Sequence, residues 1–261
     1  MPPKTRIDLL SASMLIPSVL SILFKKLMKQ SALQLKKLLI WSPVTIGLLY
    51  YMLQLHQATN KSGGPIMFEN LFSAFYLIGL IVGSSIRAWY VKKYKQDRKA
   101  IFREEGFTVG ALASLWGITI LLPLLHIFTR WLSFADYDLP AWAGCTGIVI
   151  FALAIWLLWR SHADLGINWR VTTELRGKHT LVTTGIFRHI RHPMYSAHWL
   201  WGIAQALLIH DWIAGLASLA IIIPLYIVRV RREERMMLEQ FGEEYRTYMS
   251  ETGRIFPRII R

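Results

Sequence analysis

The chain has 261 residues, 54% of them hydrophobic, and a formal net charge of +14. This composition allows either one large soluble domain or a small membrane protein, and the lengths of the apolar segments decide between them. A single cysteine, Cys145, excludes a disulfide or a cysteine-based metal site within one chain.

The first quarter of the chain contains two apolar segments. Residues 8–24 are apolar but carry four serines and Pro17, so whether they span a membrane or lie at its surface is left open. Residues 38–55 are a better candidate for a span. A Gly-Gly-Pro sequence at 63–65 ends any helix there. We therefore predict a region of N-terminal membrane segments over residues 1–65, followed by a core over residues 66–261.

The core begins with three long apolar runs. About 20 apolar residues in a helix cross a hydrocarbon layer of roughly 30 Å, and runs of this length without charges are rare in soluble proteins. Two shorter runs follow, separated only by His210 and Asp211, which predicts a tight helical hairpin. The predicted spans are 68–91, 107–128, 139–159, 194–209 and 212–228.

The placement of charge supports a membrane topology. If residues 38–55 also span, six crossings put every basic segment on the same side, as the positive-inside rule requires. This distribution argues against nucleic acid as a partner, although a basic soluble protein of this charge would bind it. The sequence thus predicts an all-α, polytopic integral membrane protein of about six transmembrane helices. The basic segments are 1–37, 92–103, 160–191 and 229–261.

Two sequence blocks carry the chemistry. The first is LVTTGIFRHIRHPMYSA, residues 181–197, which begins within a short β-prone piece, 179–185, of the long polar segment 160–191. Pro193 within it fits the first turn of a helix. The second block is RVRREERMMLEQFGEEYRTYMSETGRIFP, which follows the hairpin. The polar segment 160–191 is long for a connection, and long ordered loops usually have a function.

Both blocks resemble the signature of the isoprenylcysteine carboxyl methyltransferases and of the related phospholipid and thiol methyltransferases of membranes. The shared features are a Leu-Val-x-x-Gly block ending in Arg-His-Pro-x-Tyr, an apolar hairpin, and a Glu-Glu helix with a downstream Phe-Gly-x-x-Tyr. The resemblance implies S-adenosylmethionine as the cofactor, bound by residues 160–261 in a pocket on the cytosolic side. Phe187 departs from the family, which usually has tyrosine there.

The resemblance also implies roles for individual residues. Glu233 would meet the amino group of the cofactor, and Arg229, one turn earlier, would orient the acceptor carboxylate. The charges of the cofactor independently require an anion, a cation or N–H donor, and an apolar slot for adenine, which Glu233, Arg191 or His192, and aromatic residues could supply. The full set of implied cofactor residues is His179, Thr180, Leu181, Val182, Phe187, His192, Pro193, Met194, Tyr195 and Glu233.

Structural explanations remain open for several of these residues. Arg229 also fits a positive-inside anchor, and Glu233 with Glu234 also fits a solvated pair that forms salt bridges. Leu238, Phe241, Tyr245 and Tyr248 recur at three and four residues, which is typical of an amphipathic surface helix. We expect no metal, because no paired histidine or acidic spacing indicates one and because His126 and His198 fit core or cavity-lining positions better. A polar cluster of His162, Asp164, Asn168 and Trp169 could shape the cavity.

The expected function is therefore methyl transfer from S-adenosylmethionine to the carboxylate of a lipid-like, isoprenylcysteine-type acceptor that arrives from the bilayer. Alternative acceptors are a phospholipid amine and a small thiol. An NADPH-dependent membrane reductase and a non-enzymatic membrane scaffold are more distant alternatives. The expected location is a bacterial inner membrane or the endoplasmic reticulum, with the active site facing the cytoplasm.

Overall fold

A computed structural model describes residues 65–94, 106–129, 131–169 and 180–258, with side chains from Leu71 onward. The predicted span 38–55, the segment 8–24 and His179 lie outside these residues. The described residues form five α-helices and no strand, apart from two isolated bridges, which confirms the all-α class. The helices are α1 (Pro65–Lys93), α2 (Phe107–Thr129), α3 (Ala141–Leu165), α4 (Pro193–Leu208) and α5 (Trp212–Glu251).

Four of the helices are long and apolar enough to cross a membrane. The qualifying segments are Leu71–Lys93, Phe107–Thr129, Ala141–Asn168 and Trp212–Glu251, so every long span predicted within the described residues is confirmed as a helix. The remaining helix, α4, has 16 residues and is therefore about 24 Å long, shorter than a hydrocarbon layer.

The hairpin of α4 and α5 forms as predicted. Pro193 lies in the first turn of α4, where its missing N–H has no partner to lose. Asp211 caps α5, because its carboxylate accepts hydrogen bonds from the backbone N–H groups of Ile213, at 2.9 Å, and Ala214, at 2.5 Å.

The second arm of the hairpin is longer than predicted. We expected it to end at Val228, but α5 continues through the charged block to Glu251. Arg229, Glu233 and Glu234, directly after residue 228, form ion pairs and hydrogen bonds within the protein. The helix bends at Gly242, whose φ of +53° favours glycine, so its last two turns leave the original axis.

The core lies between α1, α3 and α4. Aromatic side chains from all three helices meet there, with Tyr76 stacked on Phe151 and Trp201 against the edge of Phe151. Gly79 permits this contact, because a Cβ at this position would lie 2.2 Å from Phe151. At the same level, the Gln205 amide donates to the backbone of α2 and α5, so the buried polar group is paired.

The segment before α4 is irregular. We expected a short β-prone piece over residues 179–185, but its described residues, 180–185, form no strand. Gly185, with a φ of +62°, begins a 3-10 turn at Gly185–Arg188. The Asp164 carboxylate fixes this turn by accepting the Ile186 N–H at 2.7 Å, and this capping contact takes the place of strand pairing.

Candidate active site

A cavity of about 510 Å³ lies among all five helices and the segment before α4. This volume is within the range of small-molecule sites in proteins. Every predicted site residue that the structure describes lines it. These residues are Thr180, Leu181, Val182, Phe187, His192, Pro193, Met194, Tyr195, Arg229 and Glu233.

The carboxylate of Glu233 lies on the cavity wall between α4 and α5. It accepts a hydrogen bond from the Tyr195 hydroxyl at 2.8 Å. Arg229 Nη2 lies 3.7 Å from Glu233 Oε1, and His192 Nδ1 lies 3.4 Å from Glu233 Oε2. An anion, a cation and a hydroxyl donor thus meet at one point of the cavity.

The neighbouring carboxylate, Glu234, faces away from the cavity and is buried. Arg254 binds it through two nitrogens, with Nε at 3.0 Å and Nη2 at 2.5 Å. Arg191 Nε and His192 Nε2 lie 3.5 and 3.3 Å from its Oε1. The two consecutive glutamates therefore have different surroundings, and neither belongs to a solvated pair.

His192 lies between these two glutamates. Burial alone would lower its pKa, but the hydrogen bonds and negative charges of Glu233 and Glu234 outweigh burial and raise the pKa of His192 above its ordinary value. Both ring nitrogens face carboxylate oxygens, which favours the imidazolium form. His192 therefore positions the Glu233 carboxylate that lines the cavity.

Arg191 lines the cavity, but its guanidinium is engaged by the protein. Its Nη1 donates to the backbone carbonyls of Met249 and Thr252. The backbone N–H groups of Arg191 and His192 donate to the carbonyls of Gly253 and Arg254 at 2.8 and 2.9 Å. These contacts show Arg191 holding the C-terminal segment. They favour His192 over Arg191 as the cation beside the cofactor.

An aromatic wall closes one side of the cavity. Phe187 is buried, and its carbonyl accepts a hydrogen bond from the Tyr248 hydroxyl at 2.6 Å. Phe241, Tyr245 and Tyr248 all line the cavity, so the face that these residues share along the helix belongs to the cavity wall.

The opposite wall comes from α1 and α2, which the sequence motifs did not indicate. It is mostly apolar, with Arg87 as a cation from α1. His198 of α4 packs against Trp116, with ring centroids 4.3 Å apart. The sequence could have indicated this wall through the small residues at 113 and 117, which lie on one face of α2 and leave space beside it. Its residues are Leu80, Ser84, Arg87, Ala113, Trp116, Gly117, Ile120 and Leu121.

The predicted polar cluster divides. Asn168 and Trp169 line the cavity, and the Asn168 amide donates to the Thr180 hydroxyl at 3.3 Å. His162 is buried behind them, with its ring 4.8 Å from that of Trp169. Asp164 fixes the turn before α4 instead of facing the cavity.

Comparison with known proteins gives the same family as the motifs. Residues 145–239 match the model of the isoprenylcysteine carboxyl methyltransferase (ICMT) family. Proteins named protein-S-isoprenylcysteine O-methyltransferase are similar to the chain: the mouse protein at 29% identity and the rat protein at 30%, each over 144 residues. The predicted ICMT-like resemblance is confirmed over this part of the chain.

The extent of these similarities is partial. The mouse and rat alignments cover 54% of this chain and 48% of each relative, so the chain spans about half the length of these mammalian proteins. The protein of the same name from Dictyostelium discoideum is 22% identical over 190 residues, which cover 70% of this chain and 76% of that relative. The family match begins at residue 145, after α2.

Proposed function

We propose that the chain is a membrane methyltransferase that uses S-adenosylmethionine and methylates the carboxylate of a lipid-like, isoprenylcysteine-type acceptor. The observation that carries this proposal is the position of Glu233 and Arg229, four residues apart on α5, in one cavity with Thr180–Val182 and His192–Tyr195. The ICMT match and the names of the similar proteins support the same chemistry.

The residues of the cavity fit the cofactor. Glu233 offers a carboxylate for the positive charges of an amino group and a sulfonium. Phe187 and Phe241, together with Met236 and Met237, offer an apolar and aromatic slot for adenine. When bound, S-adenosylmethionine supplies a methyl group made electrophilic by its attachment to a sulfonium.

The chain's own residues would orient the two partners and limit water. Arg229 and Glu233 lie on consecutive turns of α5, so an acceptor carboxylate at Arg229 is near the cofactor groups held at Glu233. The acceptor is already an anion at neutral pH, so no residue has to remove a proton. Opposite charges cancel during transfer, which a water-poor cavity favours.

The wall formed by α1 and α2 fits the acceptor. It is largely apolar and lies within membrane-spanning helices, so a lipid-like chain reaches it laterally from the bilayer. Arg87 and Arg229 offer positive charge to an acidic head group. The positive-inside pattern supports a cytoplasmic position for this cavity.

A binding experiment tests the cofactor part. In detergent, Glu233→Gln should weaken S-adenosylhomocysteine binding about 10- to 100-fold, because a hydrogen bond to a charged group contributes roughly 1.5–3 kcal/mol. Calorimetry measures the change. Glu239→Gln, at an exposed position of the same helix, is the matched control and should bind normally. Equal binding by both variants contradicts the role of Glu233.

An activity experiment tests the acceptor part. Labelled S-adenosylmethionine is incubated with the purified chain and with a prenylcysteine, a phospholipid amine or a small thiol. We expect transfer to the prenylcysteine carboxylate and its loss in Arg229→Gln with cofactor binding retained. Methyl transfer only to the amine or the thiol would show that the proposed acceptor is wrong and the proposed cofactor right. NADPH binding in place of S-adenosylhomocysteine would refute the methyltransferase proposal.

A further inference from the structure

A second group of ionisable side chains lies outside the cavity lining, at a distance from Glu233. His126 near the end of α2, Asp136 in the segment between α2 and α3, and Asp211 at the start of α5 each direct one ligand atom toward the others, all within 4.8 Å. Glu233 follows Asp211 by 22 residues of helix, a distance of about 33 Å. The group is therefore at the opposite end of the membrane helices from Glu233.

Asp211 is the unusual member, because its side chain is fully buried, with 0% of its surface exposed. One oxygen, Oδ1, caps α5. The other, Oδ2, has no hydrogen-bond partner among the described residues, and neither has the buried Nδ1 of His126 that it faces. A buried carboxylate oxygen without a donor is costly unless a cation compensates it.

The distances between the ligand atoms indicate which cation. His126 Nδ1 lies 3.6 Å from Asp136 Oδ1 and 3.6 Å from Asp211 Oδ2. These contacts are too long for hydrogen bonds. Two ligands at about 2.0–2.2 Å from a tetrahedral zinc ion are separated by roughly 3.3–3.6 Å. The two contacts thus have the length of tetrahedron edges around one metal ion.

The backbone around the group is already fixed. The Tyr137 N–H donates to the His210 carbonyl at 2.9 Å, and its hydroxyl donates to the Ala206 carbonyl at 2.5 Å. Asp136 and Asp211 form an antiparallel bridge. These contacts join the α2–α3 segment to the hairpin turn, so the backbone holds the ligands close together without a metal. Metal binding would therefore cost little conformational entropy.

We propose that His126, Asp136 and Asp211 bind one divalent transition-metal ion of the zinc class. One imidazole and two carboxylates suit such an ion. Asp136 is partly exposed, so its side chain can rotate until its oxygen lies at the same spacing from Asp211 Oδ2. Water would occupy the fourth coordination position of the ion. The ion would link the α2–α3 segment to the α4–α5 turn. Our expectation of no metal missed this group because its members are 10 and 75 residues apart in sequence.

Zinc binding by the purified full chain tests the proposal. The protein, without a polyhistidine tag, is treated with EDTA in detergent and titrated with Zn²⁺ by calorimetry. We expect one equivalent to bind and to raise the thermal unfolding midpoint. Asp211→Asn retains a helix-capping oxygen but removes the charge, and it should weaken binding at least tenfold, as should Asp136→Asn.

Asp138→Asn is the matched control, because it removes one charge from an exposed position of the same segment outside the three ligands. It should bind Zn²⁺ like the unaltered chain. If the unaltered chain binds no stoichiometric Zn²⁺, or if Asp136→Asn binds it equally well, the proposal is wrong and the group is an ion pair only. Methyl transfer is not measured, so the outcome is independent of the proposed function.

Discussion

The two ends of the large cavity are built in different ways. The motif end, which comprises Phe187, His192, Tyr195 and Glu233, is held by charged hydrogen bonds and by backbone contacts with the C-terminal segment. The membrane end, formed by the wall residues of α1 and α2, is apolar, and a Cβ at Gly117 would meet no atom within 4 Å.

The motif end therefore depends on specific charged contacts, whereas the membrane end depends only on the shape of an apolar wall. Charged networks lose much energy when one partner is removed, whereas an apolar wall with free space accepts side chains of different size. The family match includes the motif end from residue 145 but neither α1 nor α2. We therefore expect substitutions at the motif end to change both stability and cofactor binding. Substitutions at the membrane end should change only the binding of the acceptor.

The largest expected effect is on stability, from Glu234→Ala. Removing this buried carboxylate leaves Arg191 and His192 without their shared anion. We expect a loss of about 3 kcal/mol, at the low end for broken buried ion pairs because Arg254 is half exposed. The thermal midpoint in detergent should fall by about 6–12 °C. Glu239→Ala is the control, and equal midpoints for the two variants would contradict the network.

The next effect is confined to the membrane end. Gly117→Trp fills the open space on α2 and should raise the KM for a prenylcysteine acceptor about tenfold, or about 1.4 kcal/mol, because the indole takes volume that the acceptor would occupy. S-adenosylhomocysteine binding should not change. Ile118→Trp places the same side chain at an exposed position of the same helix and serves as the control. Weakened cofactor binding in Gly117→Trp would show that the two ends are not separable.

The smallest effect is a pH dependence from His192. Because Glu233 and Glu234 raise its pKa in the folded state, its stabilising contribution is fully present below about pH 6.5 and is lost as the pH rises through the folded-state value. The thermal midpoint should therefore decline from pH 6.5 upward. His192→Asn should flatten this slope, whereas His189→Asn, at an exposed position, should retain it. Identical slopes would remove His192 from the motif end's charge network.

The candidate site was predictable from sequence to the extent that its residues are close in the chain or share a motif. Thr180–Val182 and His192–Tyr195 lie in one block, so locating one locates the others. The resemblance indicated Glu233 for the cavity, but the buried ion pairs of Glu234 were not predictable, because its side chain points about 100° away and only the packing of α5 decides what it meets. The shared face of Phe241 and Tyr245 was predictable from their spacing, but that this face lines the cavity depends on how α5 packs.

The sequence by itself determined the helices and their insertion. Twenty apolar residues without charges must satisfy their own backbone hydrogen bonds in a membrane, and a helix is the local way to do so. Tertiary structure alone decided which side chains meet: the wall of α1 and α2 opposite Glu233, and His126 beside Asp136 and Asp211. Those contacts depend on how separate helices pack, and the spacing along one chain contains no record of that geometry.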